Sequence, residues 1–240
     1  MVEKVDILAI GAHPDDIELS AGASLAKHVS LGKKVAIVDL TEGELGTRGT
    51  VEERYQEAAD AAEILGVSYR ENIKLEDGFF ENNKENLIKL ITQIRRFQPE
   101  IVLANAPEDR HPDHGRANEF ISRACFLSGL RKIKTSLENQ EQAHWRPKAV
   151  YYYIQDRYLS PDFVIDVTDH VEKKFDAIKA YKSQFYHPGM TGPKTPISGK
   201  EFFDYLESRM LHFGRSINVK YAEGYIVERT PGVTSFFDLI

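Results

Sequence analysis

The first hundred residues alternate between short apolar runs and amphipathic helical patterns, and this alternation strongly constrains the fold. The apolar runs are rich in β-branched residues, as expected of strands buried on both faces; they cover residues 5–10, 35–40 and 101–104, and residues 69–75 could form a further strand. Helical patterns fill the intervals between them. The alternation predicts a Rossmann-like α/β fold, with a doubly wound, mainly parallel sheet of strand order 3-2-1-4-5.

The second half of the chain is less regular and is expected to extend this sheet. Strand-like runs lie at 149–154 and 163–167, and helical patterns follow at 169–181 and 201–213. Residues 186–200 contain three prolines and three glycines, which predicts a surface loop and a candidate lid. Because no linker divides the chain, we predict one domain over residues 1–240 with extra C-terminal strands and helices.

Two short polar segments follow the first and the fourth predicted strands. Residues 11–16 read Gly-Ala-His-Pro-Asp-Asp, and residues 109–114 read Asp-Arg-His-Pro-Asp-His. In the predicted order, strands 1 and 4 are neighbours at the point where the order reverses. Ligands of such sheets bind there, beyond the carboxyl ends of the strands. The two segments are therefore expected to face each other across one crevice.

The spacing of histidine and aspartate in these segments predicts a metal site. His13 and Asp16 are three residues apart, so they project to the same side if the chain enters a helix here. His114 would be the third ligand. Two histidines and one carboxylate with an open fourth position suit catalytic zinc. We therefore expect Zn²⁺, with Mn²⁺ or Fe²⁺ as alternatives because they accept the same ligand types.

Other residues of the two segments are candidates for proton transfer. A bound divalent ion would activate water and polarise a carbonyl group. Asp15 lies between two ligands and is free to act as general base, while His111 could stabilise an oxyanion or protonate a departing amine. Asp113 could accept a hydrogen bond from His111 and hold its tautomer. The alternative is that Asp15 or Asp16 serves only as a helix N-cap.

Composition argues against several classes of partner. The formal net charge is −6 and no basic stripe is present, which argues against nucleic acid as the main partner. No apolar stretch approaches the roughly 20 residues that cross a bilayer, and residues 1–6 lack the features of a signal peptide. The single cysteine, Cys125, fits a reducing compartment. We therefore expect a cytoplasmic protein that acts on a small molecule.

At the two polar segments the chain resembles the PIG-L/LmbE-like family of zinc-dependent N-acetylglucosaminyl deacetylases. The likeness covers nearly the whole chain and is carried mainly by residues 13–16, 41–49, 54–58 and 111–114. Within the family, the chain is most similar to the bacillithiol-pathway branch, which deacetylates N-acetylglucosaminyl malate. This narrower likeness depends on residues 181–185 and 221–225.

The resemblance implies the metal and base assignments given above, and it adds Arg54 and Asp77 as contacts to a sugar substrate. From composition and pattern alone, Arg54 would be a solvated helix residue. The family also implies a homo-oligomer. The expected reaction converts N-acetylglucosaminyl malate to glucosaminyl malate and acetate. Alternatives are an inositol or chitooligosaccharide conjugate as the substrate, or a metal- or sugar-binding module without turnover.

Overall fold

A seven-stranded sheet forms the centre of the computed structural model, which describes residues 2–238. Its strands are β1 (Ile7–Gly11), β2 (Val35–Thr41), β3 (Tyr69–Leu75), β4 (Ile101–Ala104), β7 (Ala149–Tyr153), β8 (Phe163–Asp166) and β9 (Ala222–Val227). Their order across the sheet is β3-β2-β1-β4-β7-β9-β8. A separate two-stranded hairpin is formed by β5 (Ser136–Leu137) and β6 (Gln140–Glu141).

Six α-helices accompany the sheet in the described part of the chain. They are α1 (Asp16–Ser30), α2 (Val51–Leu65), α3 (Lys84–Phe97), α4 (Pro112–Ser128), α5 (Val171–Ala180) and α6 (Glu201–Ser216). A capping box stands at the start of α2, where Thr50 accepts from the Glu53 N–H and Glu53 accepts from the Thr50 N–H. None of these helices is long and apolar enough to cross a membrane.

The predicted strand order is confirmed for the parallel part of the sheet. β3, β2, β1, β4 and β7 are parallel, and β7 is the fifth predicted strand. Strand β9 was not predicted, because Glu223 and Gly224 interrupt its apolar pattern. It lies antiparallel between β7 and β8. Gly224 lets helix α6 approach closely, since a Cβ there would lie 2.9 Å from the ring of Phe213.

The fold brings the two polar segments together. β1 and β4 are hydrogen-bonded neighbours, and their buried residues pack into cores on both faces of the sheet. The chain leaves β1 into the turn before α1, and it leaves β4 into the loop before α4. Both turns therefore lie at the same edge of the sheet, at the reversal of strand order.

Candidate metal centre and active site

The turn between β1 and α1 holds one residue in a strained backbone conformation. Asp15 has φ 118° and ψ −24°, a backbone conformation that residues other than glycine rarely adopt. It occupies the N-cap position of α1, yet its side chain makes no capping hydrogen bond. Its carboxylate is therefore not engaged in capping the helix. Such strain is common at functional sites, where the surrounding structure holds it in place.

The three predicted metal ligands lie together. Asp16 Oδ2 is 3.6 Å from His13 Nδ1, and Asp16 Oδ1 is 3.2 Å from His114 Nε2. Ligand atoms about 2.0–2.2 Å from one tetrahedral ion lie roughly 3.3–3.6 Å apart. Each of the two pairs is therefore spaced as two ligands of one ion would be, with the carboxylate facing the two imidazoles through different oxygens. His13 precedes α1, so a turn rather than a helix aligns it with Asp16.

The charges around this cluster favour a cation. Burial opposes protonation of His114, yet the carboxylates of Asp16 and Asp109 raise its pKa to about 9. Burial likewise opposes protonation of His13, but neighbouring aspartates raise its pKa well above the usual value. The His114 and His13 rings hold the pKa of Asp16 well below its usual range, although burial acts in the other direction. A divalent ion would replace the protons that these imidazoles carry.

The Nε2 edge of the His13 ring, opposite the Nδ1 edge that faces Asp16, lies near two more carboxylates. His13 Nε2 lies 3.0 Å from Asp77 Oδ1 and 3.4 Å from Asp113 Oδ2. The expectation that Asp113 accepts a hydrogen bond from His111 is wrong. Asp113 Oδ2 accepts instead from the Gly78 N–H, because its carboxylate turns toward the loop after β3. Carboxylates on the free nitrogen of a ligating histidine orient the ring and raise its basicity.

Two other groups of side chains could hold an ion. Ligand atoms of His13, His111 and His114 lie within 4.8 Å of one another, as do those of His13, Asp77 and Asp113. The second group uses the Nε2 edge of the His13 ring, where Asp77 Oδ1 and Asp113 Oδ2 are the nearest carboxylate oxygens.

Asp15 lies beside the cluster and contacts an arginine. Arg54 Nη1 donates to the Pro14 carbonyl at 2.8 Å and lies 3.4 Å from Asp15 Oδ2. Arg54 is only 7% exposed, so its interpretation as a solvated helix residue is wrong. Burial raises the pKa of Asp15 to about 7, while the Arg54 guanidinium opposes that rise. A carboxyl group of this pKa is suited to accepting a proton near neutral pH.

His111 occupies the N-cap position of α4, and its ring is fixed by the backbone. Its Nδ1 accepts from the Asp113 N–H at 3.3 Å, which leaves the Nε2–H as the ring's donor. Burial and the neighbouring His13 and His114 charges lower the pKa of His111. Its ring centroid is 4.6 Å from that of His13. A neutral imidazole in this place can donate a hydrogen bond to a developing oxyanion.

Three supporting residues were not identified from the sequence. Asp109 Oδ2 lies 2.5 Å from His114 Nδ1, while Gln155 and Asn105 donate to Asp16 at 2.6 and 3.0 Å. Asn105 follows β4, and Gln155 lies two residues after β7. Their common signal is a polar residue just past the carboxyl end of a buried strand. That signal becomes informative once the strand order is known.

A cavity of about 290 Å³ opens onto this cluster. Its walls include Asp15, Arg54, Asp77 and His111, together with the three predicted ligands. Residues 41–49, which we call the glycine-rich loop, follow β2 and form a further wall. Arg110 also lines the cavity, and its side chain is 48% exposed. All the predicted site residues except Asp113 therefore line one cavity.

Comparisons with known proteins agree with this geometry. A family model described as PIG-L, GlcNAc-PI de-N-acetylase, matches residues 8–125. Diacetylchitobiose deacetylase of Thermococcus kodakarensis is 29% identical and aligns over 95% of this chain and 84% of its own length. A conserved protein from Thermus thermophilus superposes with a TM-score of 0.85 at 31% identity, covering 97% of this chain and 98% of its own.

A third relative carries a different activity in its name. It is 4-oxalmesaconate hydratase of Pseudomonas putida, 28% identical over 74% of this chain and 73% of its own length. The fold therefore hosts more than one reaction, and substrate specificity depends on each protein's own pocket. With the family match and the similarity over nearly the full length, this chain belongs to the PIG-L family of N-acetylglucosamine-type deacetylases.

Proposed function

We propose that this chain hydrolyses the acetamide of an N-acetylglucosamine conjugate with a bound divalent metal, and that N-acetylglucosaminyl malate is its substrate. The main support for hydrolysis, rather than binding alone, is the position of Asp15. It is a buried carboxyl group beside the ligand cluster, paired with Arg54 and held in a strained backbone. A site that only bound metal or sugar would not need this additional carboxylate.

The proposed roles follow from the contacts. His13, Asp16 and His114 would hold the ion, which we propose is Zn²⁺; when bound, it supplies Lewis acidity for water activation and carbonyl polarisation. Asp15 accepts the proton of the attacking water and passes it to the departing amine nitrogen as the C–N bond breaks, which releases acetate. The His111 Nε2–H donates to the oxyanion that forms on the acetamide carbon, a contribution of about 3 kcal/mol to lowering the barrier.

The other site residues would position these groups. Asp77 and Asp113 hold the His13 ring from its far side, so we assign Asp77 to orientation of His13 as well as to contact with the sugar. Arg54 keeps the Asp15 carboxylate directed into the cavity and presents a buried cation to sugar hydroxyls. Proton transfer and oxyanion stabilisation thus fall to different side chains.

Arg110 supports malate as the group attached to the sugar. Its exposed guanidinium at the rim can meet a carboxylate outside the cavity, and its Nε is already bonded to Asp156. The chitobiose relative favours a chitooligosaccharide instead, and an inositol conjugate would carry no charge for Arg110 to meet. Substitution of Arg110 therefore separates the candidate substrates.

The test is acetate release from N-acetylglucosaminyl malate, N-acetylglucosaminyl inositol and diacetylchitobiose, with and without a chelator. We expect chelator-sensitive release that is fastest with the malate. Arg110→Gln should slow hydrolysis of the malate conjugate alone, and Arg123→Gln on the outer face of α4 is the matched control. Binding of these compounds without acetate release would contradict the proposal, as would hydration of an unsaturated dicarboxylate alone.

A further inference from the structure

An irregular segment, residues 183–198, forms one wall of the cavity, and we call it the strap. It lies between α5 and α6 and contains no helix or strand. Gln184 and Ile197, near its two ends, both line the cavity. Between them, residues 191–194 are exposed to solvent. Contacts from outside the strap must therefore hold its middle against the protein.

Arg48 makes those contacts from the glycine-rich loop. Its Nε donates to the Ser183 carbonyl at 2.8 Å, and its two terminal nitrogens donate to the carbonyls of Pro193 and Thr191, each at 2.6 Å. In return, Gln184 Nε2 donates to the Arg48 carbonyl at 2.7 Å. One guanidinium thus joins both ends of an 11-residue stretch, residues 183–193, to the opposite wall of the cavity.

The backbone on both sides is shaped for this contact. Gly49 has φ +72°, and a Cβ there would lie 2.7 Å from the Ser183 side chain. Gly192 has φ +100°, and a Cβ there would lie 3.3 Å from Arg48 Nη1. Glu57 accepts from both the N–H and the hydroxyl of Ser183, at 2.6 and 2.7 Å. The glycine-rich loop and the strap therefore pack closely against each other, and Arg48 donates three hydrogen bonds across this contact.

The size of the cavity indicates what the strap contacts. A volume of about 290 Å³ is at the small end of ligand pockets, so a conjugate of two groups extends past the rim. Leu45, Arg110 and the strap residues Gln184 and Ile197 line the cavity, and Leu45 and Arg110 are exposed to solvent. The group attached to the N-acetylglucosamine therefore leaves the cavity between these elements, whereas the acetamide lies at the metal cluster.

We propose that Arg48 is a specificity-determining residue, which holds the strap against the glycine-rich loop so that the strap contacts the group attached to the sugar. This inference rests on the proposed function. The part played by Arg48 is positional, because every bond from its guanidinium goes to a backbone carbonyl of the strap. Lysine cannot replace it, because one ammonium group lacks the planar fork that spans three carbonyls.

The test combines hydrogen exchange with kinetics for wild type, Arg48→Ala and Arg48→Lys, with Arg123→Ala as an exposed-arginine control. The Met190 and Thr195 amides are hydrogen-bonded within the strap, to the His187 carbonyl and the Ser198 hydroxyl. In the two Arg48 variants we expect these amides to exchange at least about tenfold faster. We expect kcat/KM for N-acetylglucosaminyl malate to fall about tenfold through KM. The methyl glycoside of N-acetylglucosamine should change less than about threefold, because it does not reach the strap.

Two results would overturn the proposal. One is unchanged exchange of the strap amides in Arg48→Ala. The other is an equal loss of activity on the small and the large substrate, which indicates general damage to the site. A wild-type protein that hydrolyses neither substrate would instead refute the proposed function, and the exchange measurement would still judge whether Arg48 holds the strap.

Discussion

Replacing Asp15 with asparagine should abolish turnover and at the same time stabilise the metal-free protein. Asp15 is 6% exposed, and burial raises its pKa from 3.8 to about 7. Each tenfold change in an acid dissociation constant is worth about 1.4 kcal/mol. Ionised Asp15 therefore destabilises the folded protein by about 4 kcal/mol above neutral pH. Asparagine avoids this cost and is among the residues that tolerate positive φ.

The sign of the pH dependence follows from linkage. Between about pH 4 and pH 7 the folded protein binds the Asp15 proton and the unfolded chain does not, so this group makes stability fall as pH rises. The advantage of Asp15→Asn should be small near pH 4 and should grow by about 2 kcal/mol between pH 5 and pH 7. For a chain of this length, about 2–4 kcal/mol corresponds to a melting temperature roughly 4–16 °C higher.

The assay is thermal unfolding of chelator-treated wild type and Asp15→Asn from pH 5 to pH 8, together with acetate release by the metal-loaded proteins. Turnover should fall by roughly 10²–10⁴-fold while the metal stays bound. Asp16→Asn is the matched control: the pKa of Asp16 is lowered, so this variant should lose stability at neutral pH. A lower melting temperature for Asp15→Asn at pH 8, or a difference independent of pH, would refute the reasoning.

Three further predictions concern the metal and the core. His114→Ala should weaken metal binding by more than the roughly 10–100-fold that we expect for Asp109→Ala, because the first removes a ligand and the second only its supporting carboxylate. Competition with a chromophoric chelator measures both, and unchanged affinity in either variant would contradict its role. Glu223→Ala leaves the buried Lys174 ammonium without its partner at 2.6 Å, so the free energy of unfolding should fall by about 3–5 kcal/mol. Denaturant unfolding tests this, and the Glu223→Leu/Lys174→Met double variant should recover most of the loss.

The sequence alone determined the parallel part of the sheet and the place of the site. β1, β2 and β4 are local apolar runs, and the capping box at Thr50 and Glu53 is a contact between residues three positions apart. The doubly wound topology then puts the ends of β1 and β4 side by side. The spacing of His13 and Asp16 is likewise local, and their side chains lie together in the structure.

Only the tertiary structure decided which groups support the site and what covers it. Asp113 turns to His13 rather than to His111, and Arg54 is buried against Asp15 rather than solvated. Arg48 bonds to the strap across 135 to 145 positions of sequence. The physical reason is that hydrogen bonds of long polar side chains depend on distance and direction in space. Periodicity indicates which face of an element is buried, but it carries no information on the partner met there.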